Sequence, residues 1–283
     1  MTGYDEPGVM TDPGRYAAAF DGLPADPAGV ARVAQGLMIH EFWLDAYGVT
    51  MTPEQRETVH LRRAEHLLAE IVRRDGRPLG EAREPAARVA TNCRGFTVLA
   101  VTMLRAAGVP ARARCGFGAY FRRGWFEDHW VVEWWDAAQD RWRLMDAQID
   151  EVQRARLGIG FDLTDVPRDE FVVAGDAWVR CRSGAGDPSR YGLSGIGEAG
   201  RWWIAGNLMR DAAALDGVEL LPWDDWGAMP APGEEPDAEL FDRLAALTGE
   251  PDVAGLHRFL RADERVRVPE KVHNALRGRT EAI

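Results

Sequence analysis

Apolar positions recur at helical spacing through the first third of the chain and switch to a period of two after residue 110. A helical layer is therefore predicted to precede a sheet. From Ala28 to Ala46, residues Val30, Val33, Leu37, Phe42 and Leu44 fall at mixed helical spacings. Thr52-Pro53, a capping residue ahead of a proline at the first helical position, opens a second stretch predicted to run to about Asp75. Its stripe is Leu67, Leu68, Ile71 and Val72, with Arg62, Arg63, Arg73 and Arg74 on solvated faces. A third helix is predicted from Thr91-Asn92 to Ala107, with Phe96, Leu99, Ala100, Met103 and Leu104 on one face. Gly108 supplies a left-handed cap and Pro110 follows it. Then Ala111, Ala113, Cys115, Phe117, Ala119 and Phe121 alternate with Arg112, Arg114 and Tyr120 as a strand, and His129 to Trp135 and Asp140 to Asp146 read as two more.

Six glycines between Ser183 and Gly200 predict a long loop or seam, and Pro230, Pro232 and Pro236 punctuate a second break. Gly195-x-Gly197-x-x-Gly200 has the spacing of a dinucleotide fingerprint, but no strong strand precedes it and it reads as a loop. Helices are predicted at Trp202 to Leu215, Asp237 to Leu247, Asp252 to Ala262 and Pro269 to Leu276. The fold expected is α+β, with a helical N-terminal layer and core over residues 1–182 and a helical extension over 183–283.

Composition narrows the function classes. The 283 residues carry 34 Lys plus Arg against 45 Asp plus Glu, a formal charge of −11 with no basic block, which argues against a nucleic-acid partner. Lys271 is the only lysine, so the chain is a poor amine donor. Three cysteines, Cys93, Cys115 and Cys181, make no disulfide scaffold and suit a reducing compartment, so a cytoplasmic location is expected. Asp5, Glu6 and Pro7 stand where a secretory leader would be basic and then apolar, and no run approaches the roughly 20 apolar residues of a span. Neither export nor a membrane partner is expected. No His-Glu-x-x-His or Cys-x-x-Cys spacing occurs, and neither a metal nor a cofactor is expected.

The informative stretch is Thr91 to Asp150. Cys93 falls in the first turn of the Phe96 helix, where unpaired N–H groups and the macrodipole favour an anion, so its thiol tends toward thiolate. Cys115 and Cys181 read as packing. If Asp136 to Gln139 form a four-residue loop, Trp135 lies opposite Asp140, Val131 opposite Leu144, Trp130 opposite Met145 and His129 opposite Asp146. Directly opposed residues have Cβ atoms about 4.5–5.5 Å apart, close enough for a carboxylate to accept an imidazole N–H. A thiol, an imidazole and a carboxylate so arranged are a candidate Cys-His-Asp triad. Trp130 next to the base, and Asn92 and Arg94 flanking the thiol, are candidate substrate contacts. Trp223-Asp224-Asp225-Trp226 reads as a packed turn.

The segments Asn92-Cys93-Arg94-Gly95-Phe96, Leu104 to Arg112, Asp128-His129-Trp130 and Arg141 to Asp146 resemble the core of the bacterial transglutaminase-like superfamily. The resemblance covers roughly Glu84 to Asp150 and implies a papain-related core. It implies Cys93 as nucleophile, His129 as base and then acid, and Asp146 as orienting carboxylate. It also leaves the reaction open, since such proteins include crosslinkers, peptidases, deglycosylating enzymes, amide-forming enzymes and non-catalytic members. The expectation is acyl chemistry through a Cys93 thioester on a small or peptide-like amide, ester or thioester, with hydrolysis favoured over transfer to an amine. An amide-forming acyltransferase and a binding scaffold are the alternatives. Calcium sites of the animal enzymes have no counterpart loop pattern in this sequence, and the oligomeric state is left open.

Overall fold

Asp26 starts the first helix by accepting from the Gly29 N–H through Oδ1 at 2.9 Å, with Pro27 at the first helical position. The computed structural model describes residues 3–249 and 253–283, so Asp252 lies outside the described residues. Two compact units divide the chain, Met1–Ala113 with Val131–Pro167, and Arg114–Trp130 with Arg168–Ile283. The expected boundary at residue 182 falls inside the second of them. Helices and strands, paired both parallel and antiparallel, make up both, and the fold is α+β.

In the first unit α1 (Pro27–Leu37) runs into β1 (Met38–His40), which pairs in parallel with β2 (Val89–Thr91), His40 opposite Thr91. The helix expected over 28–46 therefore stops at Leu37, and Glu41–Tyr47 is a 3-10 segment. The Thr52 signal works as a capping box with Gln55 and starts α2 (Pro53–Arg56), but the helix does not continue to Asp75. A 3-10 turn at Glu57–His60 breaks it before α3 (Ala64–Arg74). The physical reason is lateral: the Thr58 hydroxyl donates to Ala90 O at 2.7 Å, and Asn92 Nδ2 donates to Val59 O at 3.2 Å, tying this turn to β2 and the residue after it.

Helix α4 (Cys93–Ala106) is buried on every side from Cys93 through Arg105, beyond the single face that the periodicity predicts. Its threonines bear burial because Thr97 donates to Cys93 O and Thr102 to Val98 O, one turn back. Gly108 takes φ +76° just past the end.

Strands β3 (Ala111–Gly118) and β4 (Phe126–Asp136) supply residues to both units. All of β3 is buried, including the arginines that alternate along it. Arg112 is neutralised by Glu133 at 2.7 Å in the first unit, and Arg114 by Asp211 at 2.8 Å in the second. In the first unit β5 (Arg141–Met145) pairs antiparallel with β4, followed by α5 (Glu151–Leu157). The hairpin register differs from the expected one by two residues. Asp136 lies opposite Arg141, Trp135 opposite Trp142, Glu133 opposite Leu144 and Val132 opposite Met145, so the pairs Trp135–Asp140, Val131–Leu144, Trp130–Met145 and His129–Asp146 do not form in this ladder. The loop is 137–140, because Asp136 Oδ1 accepts from the N–H groups of Ala138 and Gln139 while Asp140 takes the left-handed φ of +53°.

The second unit orders its strands β6 (Phe171–Val173), β3, β4, β7 (Tyr191–Leu193), β8 (Glu198–Ala199), with β4 and β7 parallel and the β3/β6 and β7/β8 pairs antiparallel. Helix α6 (Ala174–Arg182) follows β6 and α7 (Arg201–Leu215) follows β8. The Gly195 to Gly200 run is a hairpin turn and a helix approach. Gly192 is required on β7, where a Cβ would stand 2.0 Å from Glu198 O. Further on come β9 (Asp224–Asp225), α8 (Ala238–Gly249) and α9 (Ala254–Ala262). The helix expected over Pro269 to Leu276 is instead β10 (Lys271–Asn274), paired with β9 and with β11 (Arg279–Ala282). Val272 and Asn274 are buried while Lys271 and His273 are exposed, the period-two alternation of a strand, which a stretch with so few apolar residues does not distinguish from a helix.

Candidate active site

Asn92 caps α4 by accepting from the Gly95 N–H through Oδ1 at 3.1 Å, and this sets Cys93 as the first helical residue. Cys93 retains 7% of its surface. Gly95 is needed at the third helical position, because a Cβ there would stand 1.9 Å from Thr91 Oγ1. The expected substrate contacts Asn92 and Arg94 are buried and hold the chain at 59–61: Asn92 Nδ2 donates to Val59 O, and the Arg94 guanidinium donates to Leu61 O at 3.3 Å. Trp130 is likewise buried, its indole N–H without a hydrogen-bond partner among the described residues. These three positions are interior.

Asp146 is the residue after β5 and is buried. Its N–H donates to Leu163 O at 2.9 Å, and its Oδ1 accepts from the N–H groups of Gln148 at 2.9 Å and Ile149 at 3.3 Å. The loop that follows is clamped from the helical layer, since Gln35 Nε2 on α1 donates to both Ala147 O and Ile149 O. Asp150 caps α5 and accepts from the Tyr47 hydroxyl at 2.8 Å. Neither Gln35 nor Tyr47 is predicted as a site residue from the sequence. Over a hundred residues separate each from the loop it holds, and no local spacing advertises the contact.

His129 belongs to the second unit, on β4, and is 2% exposed. Its imidazole sits among aromatic edges, with ring centroids of Phe121 at 4.7 Å, Tyr120 at 6.1 Å and Phe171 at 6.3 Å. Tyr120 and Phe121 fold back over the end of β3 because Gly118 leaves room; a Cβ there would meet the Phe121 ring at 2.7 Å. Immediately before His129, the Asp128 carboxylate accepts from Trp203 Nε1 at 2.6 Å. Burial pushes the Asp128 carboxyl above its ordinary value, opposed by the Arg210 charge and by hydrogen bonds from Trp203 and Asn207. Burial also pushes up the Cys181 thiol, to about 11, in keeping with a packing role. Among the described residues no group of three or more His, Cys, Asp or Glu could hold a metal ion, and no helix is long and apolar enough to cross a membrane.

Residues 51–147, about a third of the chain, match the core model of the transglutaminase-like superfamily. This stretch contains Cys93, His129 and Asp146. Members of the superfamily are in general cysteine-dependent enzymes. Among curated proteins none matches the chain significantly. A candidate cysteine protease from Cytophaga hutchinsonii is 16% identical over 62% of this chain and 47% of its own, with a TM-score of 0.36. The red sea bream transglutaminase is 15% identical over 52% of this chain and 30% of its own, with a TM-score of 0.34. The chain thus spans less than half the length of either structure.

Proposed function

Residues 51–147 being a transglutaminase-like core, we propose that the protein is a thiol-dependent acyl-transfer enzyme whose triad is Cys93, His129 and Asp146. The reading is carried by the position of Cys93 at the first residue of a buried, Asn92-capped helix, within the matched stretch and with His129 and Asp146 following it in the superfamily's order. His129 takes the thiol proton and the sulfur attacks the substrate carbonyl, forming a C–S bond. The Cys93 backbone N–H, free of an intrahelical partner at this position, can donate to the oxyanion. Collapse breaks the bond to the amine, alcohol or thiol leaving group, which receives the proton from His129 and leaves a thioester. Asp146 holds the imidazole tautomer through both steps, with its carboxylate steadied by two backbone N–H groups.

Water then resolves the thioester to an acid and the free thiol, so hydrolysis of a small or peptide-like acyl substrate is the proposed outcome. An amine wins only if it is bound and oriented at a large effective molarity. Calcium is not required in this scheme, and a cytoplasmic setting suits the free thiols. The test is intact-mass detection of an acyl adduct on Cys93 after exposure to small amides, esters and acyl thioesters, followed by millimolar amines. An adduct absent from Cys93→Ala and released mainly as acid supports the proposal. A dominant amide product makes it a transferase, and failure of every acyl donor and of a thiol-directed electrophile to load Cys93 makes the core a binding scaffold.

A further inference from the structure

Three consecutive residues ahead of His129 are each fixed by one short stretch of the C-terminal region. Phe126 lies opposite Tyr191 in the parallel β4/β7 ladder and stacks on its ring at 4.3 Å with an interplanar angle of 2°. Glu127 lies opposite Gly192, and its Oε1 accepts from the Ser194 N–H at 2.8 Å. Asp128 accepts from Trp203 on α7 at 2.6 Å and from Asn207 one turn further along. Arg210, on the same helix, faces this carboxylate with its own geometry set by Asn207 Oδ1 at 3.3 Å, Asp224 O at 3.2 Å and Asp225 Oδ1 at 3.0 Å.

We propose that residues 191–207 brace the general base, and that Asp128 and Trp203 are positioning residues for the His129 imidazole. This rests on the reading of His129 as base. Simple packing explains the contact poorly. Removing a carboxylate from water is costly, and apolar residues of similar volume would hold a strand to a helix without that penalty. What a carboxylate adds is direction, through a short charge-assisted hydrogen bond, and a negative charge one residue from the imidazole. The groups around Asp128 are Arg210, Trp203 and Asn207 from α7, with Glu127 and His129 on its own strand. Burial also pushes the Glu127 carboxyl up, against hydrogen bonds from Ser194. The brace fixes the backbone on which the ring rotates, and the attraction between an ionised Asp128 and the imidazolium favours each in the presence of the other.

The experiment compares Asp128→Asn and Trp203→Phe with wild type in the full chain. The first readout is the titration of His129 by NMR on histidine-labelled protein, the signal being assigned by its loss in His129→Gln. The second is turnover of p-nitrophenyl acetate, an ester that acylates reactive thiols. Asp128→Asn should lower the His129 titration midpoint and reduce kcat by ~10-fold or more with KM nearly unchanged, as for a misplaced catalytic group. Trp203→Phe keeps the carboxyl group and removes one of the hydrogen bonds that favour its ionised form, so kcat should fall with a smaller change in midpoint. Both variants melting lower while the midpoint and kcat stay at wild-type values would overturn the proposal. If Asp128→Asn does not fold, Trp203→Phe alone decides, since unchanged kcat there also overturns it. The triad reading fails separately, by activity surviving Cys93→Ala, and in that case the NMR titration still reports whether Asp128 acts on His129.

Discussion

Gly95→Ala puts a methyl group against the start of the helix that carries Cys93. In an ordinary helix interior the change stabilises by about 0.5–1 kcal/mol, because glycine loses more backbone freedom on folding. Here the new Cβ would lie 1.9 Å from Thr91 Oγ1, 3.1 Å from its Cβ and 3.3 Å from its Cγ2. Reaching an ordinary 3.4 Å contact requires the hydroxyl or the helix start to give by 3.4 − 1.9 = 1.5 Å. Overpacking of this kind costs about 1–3 kcal/mol, so a net loss of about 1–2 kcal/mol is expected after the helix gain. The Asn92 cap, which accepts from the Gly95 N–H, shares the displacement, and Cys93 moves with it. Urea unfolding reads the stability, and iodoacetamide labelling of Cys93 followed by intact mass reads the local geometry. The decisive control is Thr91→Ala, which removes the oxygen and the methyl and leaves only the 3.1 Å Cβ contact. In that background Gly95→Ala should be near neutral, with a coupling of at least about 1 kcal/mol between the two sites. An equal penalty in both backgrounds, or none in either, refutes the steric argument.

Asp146→Asn should fold, because the amide oxygen can still accept from Gln148 and Ile149, but should lower kcat by ~10³–10⁴ through the wrong imidazole tautomer. Iodoacetamide at mild alkaline pH should modify Cys93 before Cys115, which is fully buried, and before Cys181, whose thiol burial pushes up to about 11; peptide mapping reads the order. Hydrogen bonds from Arg141 hold the Asp165 carboxyl below its ordinary range, with Arg143 adding to the effect. A depressed carboxyl stabilises the fold above its ordinary pKa and loses that contribution as pH falls toward the lowered one. The wild-type advantage over Asp165→Asn in urea should therefore be small, since Arg141 is half exposed, and should vanish in acid.

Where sequence signals were local, they located structure well. Asn92 caps the helix it was expected to start, Gly108 ends it, and the Thr52-Pro53 signal produces a full capping box. Prediction lost accuracy where a lateral partner overrides the local preference. Thr58 and Asn92 pull the turn at 57–60 onto β2 and its end and break a helix whose periodicity runs on to Arg74. The arginines of β3 look like a solvated face, and only the distant Glu133 and Asp211 reveal that they are buried. For the same reason the partners of the candidate site, Gln35, Tyr47, Phe171 and Trp203, carry no sequence signature of their role.

The hairpin register shows how a turn residue decides which partners a strand presents. Placing the loop at 136–139 treats Asp136 as a turn residue, whereas it closes the ladder opposite Arg141, and its side chain does the turn-forming. The same carboxylate accepts from Arg143 at 2.9 Å, and that pairing holds it below the ordinary carboxyl range. A left-handed Asp140 then completes a loop of unchanged length displaced by one residue at each end. Moving both ends together shifts the pairing by two positions, which carries Leu144 from Val131 to Glu133. A shift of one would have exchanged the strand's faces, whereas a shift of two preserves them and moves each partner along. The ladder closes at Val132 and Met145, so Asp146 leaves the strand at its next residue and is free to turn its N–H to Leu163 O while its Oδ1 caps Gln148 and Ile149. A carboxylate at the mouth of a loop is thereby oriented by backbone donors and the Gln35 clamp, without support from a paired strand.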